Sequence, residues 1–404
     1  MPSHAVIIGG GLSGKHAAAL LVKSKDIKVT VIQANKFVEW PLAMAWVLTQ
    51  PQLHDKALAA DPKAFEVPNV AYSYDVVTGV NSSAKTISLR GGPDISYDVL
   101  IVAPGFGMPL IYPELGVSVA DRKKEIAEAA GKIKAAGCVV VAGGGAVGLE
   151  VAGCIKKAYP EKAVKLLCRG QILKQYPEKV RRDVEAELAK ANIEVVRGAL
   201  ENMPTEVKLE PGVINVSENL INYDVFLPIY SRGPNTSFLG GDLLDGLGNV
   251  KVNEHLQSTA CKEVFAVGVA DVDEGFIGMP KLEQQWKDVA ANAAAVLAGK
   301  PLKVHKEGMP FMKRPVAVTL GSWAALDFSQ APPPVKCCCC CGQGGFPCCP
   351  PPCCWPCCGL CACGYCCGSP SGEGTAKLLE ALAFKSASMH FKGMGLAAPE
   401  QQTM

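Results

Sequence analysis

The 404-residue sequence has little net charge and no long apolar run. Its formal net charge is +2, with 40 basic and 38 acidic residues interleaved along the chain. A nucleic-acid-binding domain usually carries a clustered basic face, so we expect no nucleic-acid partner. The sequence also lacks a run of about eighteen apolar residues, which a membrane-spanning helix would require. Apolar residues nevertheless make up 49% of the chain, enough for a substantial core.

Recognisable targeting signals are missing from the first residues. A strand begins at Ala5, which leaves too few residues before it for a secretory or mitochondrial presequence. Pro2 excludes the Met-Gly start that myristoylation needs. We therefore expect a cytoplasmic protein, with any membrane attachment peripheral.

Predicted strands and helices alternate along the first 300 residues, which indicates an α/β fold. Strands are predicted at Ala5–Ile8, Lys28–Ile32, Val99–Val102, Cys138–Val141, Val164–Leu167, Val264–Val267 and Val316–Leu320, with a hairpin over Val76–Leu89. Helices are predicted at Leu12–Lys23, Asp121–Ala136, Ala146–Ala158, Leu282–Ala298 and Thr375–Phe384.

A glycine-rich turn joins the first strand to the first helix. Gly9 permits the tight turn, Gly11 lets the backbone approach a pyrophosphate, and Gly14 lets the helix pack closely on the sheet. The helix N-terminus then presents unpaired N–H groups to the phosphates.

A second turn repeats this pattern after the strand Cys138–Val141. It contains Gly143, Gly145 and Gly148, and Glu150 follows two residues later. One such turn can be merely a glycine-rich strand–helix connection, but two copies in the same context predict two dinucleotide sites.

Five stretches together resemble one family. They are Val6–Gly14, Tyr97–Gly105, Val139–Gly153, Tyr223–Leu239 and Val264–Asp271. Their order and spacing resemble the pyridine-nucleotide-dependent flavin oxidoreductases, and within them the apoptosis-inducing-factor-like branch that includes the ferroptosis-suppressor quinone reductases. The resemblance implies FAD at the first turn, NAD(P)H at the second, and hydride transfer between them before a second acceptor is reduced.

The resemblance also implies a domain plan and a set of site residues. We expect two Rossmann-like domains, an FAD domain (1–110 and 225–300) and an NAD(P)H domain (111–224), followed by a small α+β C-terminal interface domain (301–404) with a Cys/Pro/Gly-rich insert (337–372). The predicted cofactor-binding residues are Gly9, Gly11, Gly14, Gln33, Val77, Gly105, Gly268, Asp271, Gly143, Gly145, Gly148, Glu150, Arg169 and Gly233. No histidine or carboxylate stands out as an acid–base catalyst, and no metal site is predicted.

Several positions depart from the family pattern. Gln33 stands where an acid usually meets the adenosine ribose, and Pro104 replaces the usual threonine before Gly105. Val269 follows Gly268 in place of the usual aspartate, so Asp271 is the substitute candidate. These departures leave open a degenerate member that binds nucleotide as a redox sensor or interaction protein.

The second site lacks the acid that usually selects NADH. Cys168 ends the strand there, and Arg169 follows it. An arginine in this place can meet a 2′-phosphate, which favours NADPH or dual use, whereas Arg169 as a solvated surface residue is the alternative.

The segment 37–51, where disulfide reductases carry their redox cysteines, contains no cysteine. Direct transfer from flavin to a quinone, a small radical, a protein carrier or dioxygen is therefore expected. The apolar stretch Trp40–Leu48 is interpreted first as packed core and otherwise as a surface for a hydrophobic acceptor.

Fifteen of the nineteen cysteines fall between Cys337 and Cys367, interleaved with prolines that forbid a spanning helix. One hypothesis is multiple acylation, which would attach the protein to a membrane. A metal cluster is a second, although the regular spacing of a zinc site is missing. An inert low-complexity insertion, or an artefact of gene prediction, is the third. The other four cysteines are isolated, which is typical of a reducing compartment.

Overall fold

The computed structural model describes residues 2–198, 203–272, 279–306, 316–321, 323–327 and 371–372. Over these residues the strands are β1 (Ser3–Ile8), β2 (Ile27–Ile32), β3 (Val38–Glu39), β4 (Leu58–Ala59), β5 (Ala71–Ser73), β6 (Val77–Asn81), β7 (Thr86–Leu89), β8 (Ile95–Ser96), β9 (Val99–Val102), β10 (Cys138–Ala142), β11 (Ala163–Cys168), β12 (Ile193–Arg197), β13 (Gly212–Val216), β14 (Asn219–Tyr223), β15 (Val225–Pro228), β16 (Val264–Ala266), β17 (Val316–Thr319), β18 (Ala324–Asp327) and β19 (Ser371–Gly372). The helices are α1 (Leu12–Leu21), α2 (Met44–Val47), α3 (His54–Ala57), α4 (Val119–Ala135), α5 (Ala146–Ala158), α6 (Glu178–Lys190) and α7 (Met279–Leu297).

The first large sheet is parallel and has the strand order β16-β9-β1-β2-β5. Strand β9 and the last four residues of β1 are apolar and buried, as expected when a parallel sheet is covered on both faces. Helices α1 and α7 pack against each other beside this sheet. The hairpin expected over Val76–Leu89 is confirmed as the antiparallel pair β6–β7.

The second large sheet is also parallel, with the order β12-β11-β10-β15. Helix α5 packs on β10 and β11, which confirms the second predicted strand–helix–strand unit. An antiparallel hairpin, β13–β14, precedes β15. The fold is therefore α/β with two Rossmann-like units, as expected from the two glycine turns.

Each large sheet has its own hydrophobic core, and one core crosses a predicted boundary. The first contains residues of β1, β2, β9, β16 and α7. The second combines the NAD(P)H-domain residues with buried side chains from residues 38–65, which the domain plan assigns to the FAD domain. Trp40, Met44, Trp46 and Leu48 are buried in this core, which confirms the core interpretation of that stretch; Leu42, 52% exposed, is the exception.

The two chain crossings between the units lie side by side. The Gly107 amide donates to the Gly233 carbonyl at 3.1 Å, and the Arg232 amide donates back to the Gly107 carbonyl at 2.8 Å. The Asn235 amide donates to the Gly105 carbonyl at 2.9 Å. Gly105 and Gly233 have φ angles of +72° and +91°, which other residues adopt only with strain.

A buried ion cluster ties α4 to the segment after β2. The Arg122 side chain is fully buried and lies 2.7 Å from a carboxylate oxygen of Glu39 and 2.8 Å from one of Glu125. It also donates to the Leu110 carbonyl at 2.7 Å, and His54 lies 2.6 Å from Glu39. Burial alone would raise the pKa of Glu39, but hydrogen bonds from His54 and Arg122 hold it below its ordinary value.

The C-terminal part forms an antiparallel sheet, β17-β18-β19, that packs on α5 through β17. A Cβ atom on Gly153 of α5 would overlap the backbone of Leu320, so the two backbones are in direct contact there. The predicted helix Thr375–Phe384 and the cysteine-rich run Cys337–Cys367 lie outside the described residues. Within the described part, no helix is both long and apolar enough to cross a membrane.

Replacing Arg122 with methionine should destabilise the protein by about 3–5 kcal/mol, because Glu39 would keep its charge in a buried site without its main partner. The measurement is urea denaturation followed by tryptophan fluorescence. Lys123→Ala is the matched control, since its ion pair with Asp55 is exposed and should contribute at most about 1 kcal/mol. Equal effects of the two substitutions would contradict the importance of the buried cluster.

Candidate functional site

The first glycine turn brings helix and sheet into contact that leaves no room for side chains. Gly9 has φ +104°, and a Cβ atom there would overlap the Ala103 carbonyl oxygen. A Cβ atom on Gly14 would overlap the carbonyl oxygen of Gly9. The predicted roles of these two glycines, tight turn and close helix packing, therefore have a direct steric basis.

Gly11, unlike Gly9 and Gly14, has room for a side chain and faces open space. A Cβ atom there would have no described atom within 4 Å, and Gly11 is the N-cap residue of α1. No side chain caps this helix within the part of the chain that the structure describes. The first backbone N–H groups of α1 thus remain available to an anion, which suits a pyrophosphate.

Gln33 supplies an oriented hydrogen-bond acceptor beside this turn. Its Nε2 donates to the carbonyl oxygens of Asn35 at 2.7 Å and Phe37 at 2.8 Å. Its Oε1 is buried, has no hydrogen-bond partner among the described residues, and faces Gly10 closely. A buried carbonyl oxygen without a partner costs free energy, so its position fits a donor from a bound ligand, such as a ribose hydroxyl.

The other residues predicted for the first site spread along the sheet. Gly105 and Gly268 follow β9 and β16 at the same carboxyl edge as Gly9, where ligands of open α/β sheets bind. Val77 begins β6 in the neighbouring small sheet. Asp271 is exposed, and its backbone amide donates to Val250, so its contact with a cofactor stays a prediction.

Val269 stands where the family pattern has the aspartate of a Gly-Asp pair. Its side chain is fully buried in the first core, and its carbonyl accepts from the Val250 amide at 2.8 Å. The preceding Gly268 amide donates instead to Gln285 Oε1 at 2.8 Å. This position therefore packs the core and presents no carboxylate.

The second turn repeats the geometry of the first. A Cβ atom on Gly143 would overlap the Ile229 carbonyl oxygen, and one on Gly148 would overlap the Gly143 carbonyl oxygen. Gly145 faces open space and is the N-cap residue of α5, which no side chain caps in the described chain. The two turns thus offer the same kind of anion-binding helix N-terminus.

Glu150 lies on α5, five residues after this N-cap, and is partly buried. Burial raises the pKa of Glu150 to about 7, and the Thr319 hydroxyl offsets part of that shift. Thr319 comes from β17 and is 3% exposed. Sequence reasoning missed Thr319, because nothing local to either residue indicates that β17 packs on α5.

The four cysteines in the described residues form no disulfide with one another: Cys138, Cys154, Cys168 and Cys261. Burial raises the pKa of Cys138, Cys168 and Cys261, so none of these three is an activated thiolate. The described chain therefore offers no redox disulfide beside the nucleotide turns. Cys168 and Arg169 lie where sequence analysis expects the ribose of the second dinucleotide.

Taken together, the residues present fit two dinucleotides. The first turn combines an open helix N-terminus with the unpaired acceptor of Gln33, and the second has an equivalent open helix N-terminus. Contact between Glu150 and a dinucleotide stays a prediction. Among the described residues there is no group of side chains that could hold a metal ion.

Sequence comparisons agree with this geometry. A family model described as pyridine nucleotide-disulphide oxidoreductase matches residues 3–293. A FAD-dependent oxidoreductase from Flammulina velutipes is 32% identical over 275 residues, which are 65% of this chain and 83% of that protein. Ferroptosis suppressor protein 1 from Xenopus tropicalis is 28% identical over 321 residues, 75% of this chain and 83% of that protein.

A structural comparison extends the likeness to the whole fold. The sulfide:quinone oxidoreductase of Aquifex aeolicus superposes with a TM-score of 0.68 at 17% identity, covering 97% of this chain and 92% of that chain. At this identity the superposition establishes the shared fold. With the family match over most of its length and the two glycine turns in place, the chain belongs to the pyridine nucleotide-disulphide oxidoreductase family.

Proposed function

We propose that the protein is a FAD-dependent NAD(P)H oxidoreductase that passes electrons to a quinone without using a redox disulfide. FAD and NAD(P)H are the cofactors of the family to which it belongs. The observation that carries the proposal is the pair of equivalent open helix N-termini at Gly11 and Gly145, one in each Rossmann-like unit.

Named groups of the chain would hold the two cofactors. The amides of the first turn of α1 bind the pyrophosphate of FAD, and Gln33 Oε1 accepts from its ribose. The amides of α5 do the same for the pyrophosphate of NAD(P)H. Bound FAD supplies hydride acceptance from NAD(P)H and electron transfer to a second substrate. The protein's contribution is position, and the hydrogen-bonded crossings at Gly105 and Gly233 join the two units beside each other.

A quinone is the acceptor that the relatives favour. The sulfide:quinone oxidoreductase shares the fold over nearly the whole chain, and the sequence resembles the ferroptosis-suppressor reductases. Segment 37–51 carries no cysteine, and its Trp40, Met44 and Trp46 are buried, so this stretch offers neither a dithiol nor an exposed acceptor surface. A second candidate function, a nucleotide-binding redox sensor with little catalysis, is favoured by Val269, which removes an expected FAD contact.

Peripheral membrane attachment on the cytoplasmic side is part of the proposal. It rests on sequence alone: fifteen cysteines, thirteen of them in runs and pairs, lie between Cys337 and Cys367 without a charged residue among them. Two or more acyl chains give stable anchoring, and a membrane is where an apolar quinone dissolves.

Flavin binding should depend on Gly14 and not on an ordinary helical glycine. Gly14→Ala should weaken FAD binding by about tenfold or more, because a Cβ atom there overlaps the Gly9 carbonyl and overpacking costs about 1–3 kcal/mol. Gly131→Ala is the control, since a Cβ atom on Gly131 in α4 meets nothing within 4 Å. The measurement is the visible spectrum of the purified protein, before and after anaerobic addition of NADH or NADPH.

Parent protein whose flavin bands bleach with a reduced dinucleotide supports the oxidoreductase. Parent protein that binds FAD without being reduced supports the sensor instead. Colourless protein that takes up no added FAD would refute the oxidoreductase and leave the nucleotide-binding sensor.

Glu150 should make stability depend on pH. Its pKa is raised from 4.5 to about 7 by folding, so its destabilising effect is absent below pH 4.5 and complete above pH 7. Glu150→Gln should therefore raise the thermal midpoint relative to the parent at pH 8 and leave it nearly unchanged at pH 4.5. The measurement is thermal unfolding of FAD-loaded protein, with exposed Glu128→Gln as control. A difference independent of pH would contradict the burial of the carboxylate.

Membrane attachment should disappear when the fifteen cysteines 337–367 are replaced with serine. Expressed in a eukaryotic cell, the parent should sediment with membranes and carry hydroxylamine-sensitive acyl groups, and the serine variant should remain in the supernatant. Both proteins should contain the same amount of flavin, which shows that the substitutions left the fold intact. A parent protein without acyl groups, or a serine variant that still sediments, would refute the anchor.

A further inference from the structure

The C-terminal sheet contacts α5 through backbone atoms. A Cβ atom on Gly153 would lie 2.3 Å from the backbone carbonyl carbon of Leu320, and one on Gly321 would lie 2.3 Å from the Gly153 carbonyl oxygen. Gly321 has a φ angle of +68°, and the Leu320 amide donates to the Trp323 carbonyl at 2.6 Å, so a tight turn follows β17 here. Two backbones this close fix the end of β17 on the helix.

This contact places Thr319 beside Glu150. Glu150 lies three residues before Gly153, so the two share one face of α5. From Leu320 to Gly321 the chain runs toward the C-terminal end of α5, because Gly321 approaches the carbonyl oxygen of Gly153, and helix carbonyls point toward that end. Thr319 precedes Leu320 and therefore lies toward the N-terminal end of the helix, where Glu150 is.

The Thr319 hydroxyl is a buried polar group next to the Glu150 carboxyl. Thr319 is 3% exposed, and its Oγ1 atom has no hydrogen-bond partner among the described residues. A buried hydroxyl without a partner costs free energy, which a valine of the same shape would avoid. The carboxyl beside it can accept a hydrogen bond: burial raises the pKa of Glu150, and the Thr319 hydroxyl offsets part of that shift. A small rotation of either side chain would complete the bond to the ionised carboxylate.

The loop after β11 also approaches Glu150. Burial, and to a smaller extent the charge of Glu150, raises the pKa of Tyr176 in this loop to about 12. Tyr176 therefore stays neutral over the range in which Glu150 titrates, and Thr319 carries no charge at any of these pH values. The same loop contacts the second glycine turn, because the Leu173 amide donates to the Gly144 carbonyl at 2.8 Å. Glu150 thus lies among α5, β17 and the loop that touches the turn.

We propose that Thr319 is a positioning residue of the second nucleotide site: its hydroxyl donates to the Glu150 carboxylate and fixes it, so that the C-terminal sheet contributes to dinucleotide binding. The inference rests on the proposed function, in which NAD(P)H binds at the N-terminus of α5. Glu150 follows the N-cap Gly145 by five residues, about 7.5 Å along the helix axis, within reach of a dinucleotide bound at that end. A carboxylate already held in one position loses less conformational freedom on binding than a mobile one.

The titration of Glu150 tests the hydrogen bond itself. Thermal unfolding of each full-length protein, compared at equal flavin content with the same protein carrying Glu150→Gln, follows this titration. In the parent the destabilising effect of Glu150 should grow between pH 4.5 and about pH 7 and then level off. In Thr319→Val it should continue to grow up to about pH 8, because loss of a hydrogen bond to a charged group moves the midpoint by about one pH unit. Thr319→Ser should titrate like the parent.

Affinity for the oxidised dinucleotides tests the positioning. In isothermal titration at about pH 7.5, Thr319→Val should weaken NAD⁺ or NADP⁺, whichever the parent binds more tightly, by about fivefold to tenfold. Thr319→Ser should stay within about twofold of the parent. Thr236→Val is the matched control in the first unit, since Thr236 is 1% exposed and its hydroxyl donates to the Gly248 carbonyl at 2.5 Å. The control should lower the thermal midpoint and change neither the Glu150 titration nor the affinity.

An unchanged Glu150 titration in Thr319→Val would overturn the proposal, as would a serine variant that behaves like the valine variant. A shifted titration with unchanged dinucleotide affinity would also overturn it, because Thr319 would then act on Glu150 without serving the site. Parent protein that binds neither dinucleotide would remove the second site and the proposal with it. Parent protein that binds a dinucleotide and shows both effects of Thr319→Val, but whose flavin is reduced by neither NADH nor NADPH, would refute the oxidoreductase and leave the role of Thr319 intact.

Discussion

Both nucleotide sites depend on one steric constraint: the helix after each turn lies so close to the sheet that only glycine fits between them. A methyl group on Gly14 would overlap the carbonyl oxygen of Gly9, and one on Gly148 would overlap the carbonyl oxygen of Gly143. This close approach sets the position of α1 and α5 and therefore directs their N-terminal amides at the space beside Gly11 and Gly145. Since the amides need a ligand or water in that space, the packing of the fold and the binding of phosphate have the same cause.

The two turns have the same backbone geometry. They differ in the side chain at the end of the strand that follows the helix, β2 at the first site and β11 at the second. At the first site Gln33 commits both amide hydrogens to backbone carbonyls and thereby aims its oxygen at the turn. At the second site the Cys168 thiol donates its hydrogen bond to the Gly170 carbonyl and is not available to a ligand as a donor. Neither position carries a carboxylate: a neutral amide acceptor replaces the acid at the first site, and a buried thiol replaces it at the second. Recognition of the ribose is thus set locally, on a backbone that is the same in both sites.

What the sequence predicts well is local, and what it misses is long-range. Helix α5 has the predicted bounds, because a glycine turn and an apolar face define it. Helix α4 begins at Val119, two residues before the predicted start, because Ser118 accepts a hydrogen bond from the Asp121 amide, a capping pattern already visible in the sequence. Helix α6 was not predicted, although Val180, Val184 and Leu188 repeat at helical spacing. The contact between Arg122 and Glu39 spans 83 residues, and no local pattern indicates it.

The route of the chain after Gln33 couples the first site to the second core. Asn35 accepts from the Gly116 amide at 2.6 Å and donates to the Glu114 carbonyl at 3.0 Å, which fixes the strand end to the chain leading into α4. Apolar side chains of the following segment, 38–65, are buried in the core of the second unit, and the Arg122 cluster anchors its start at Glu39. A ligand that binds at Gln33 therefore also stabilises part of the second unit. A ligand that binds only the folded state favours folding of every segment that folds together with its site. Hydride transfer needs two cofactors at a fixed separation. Segment 38–65 contributes to that separation, because it follows the strand that ends at the first site and its apolar side chains pack in the core of the second unit.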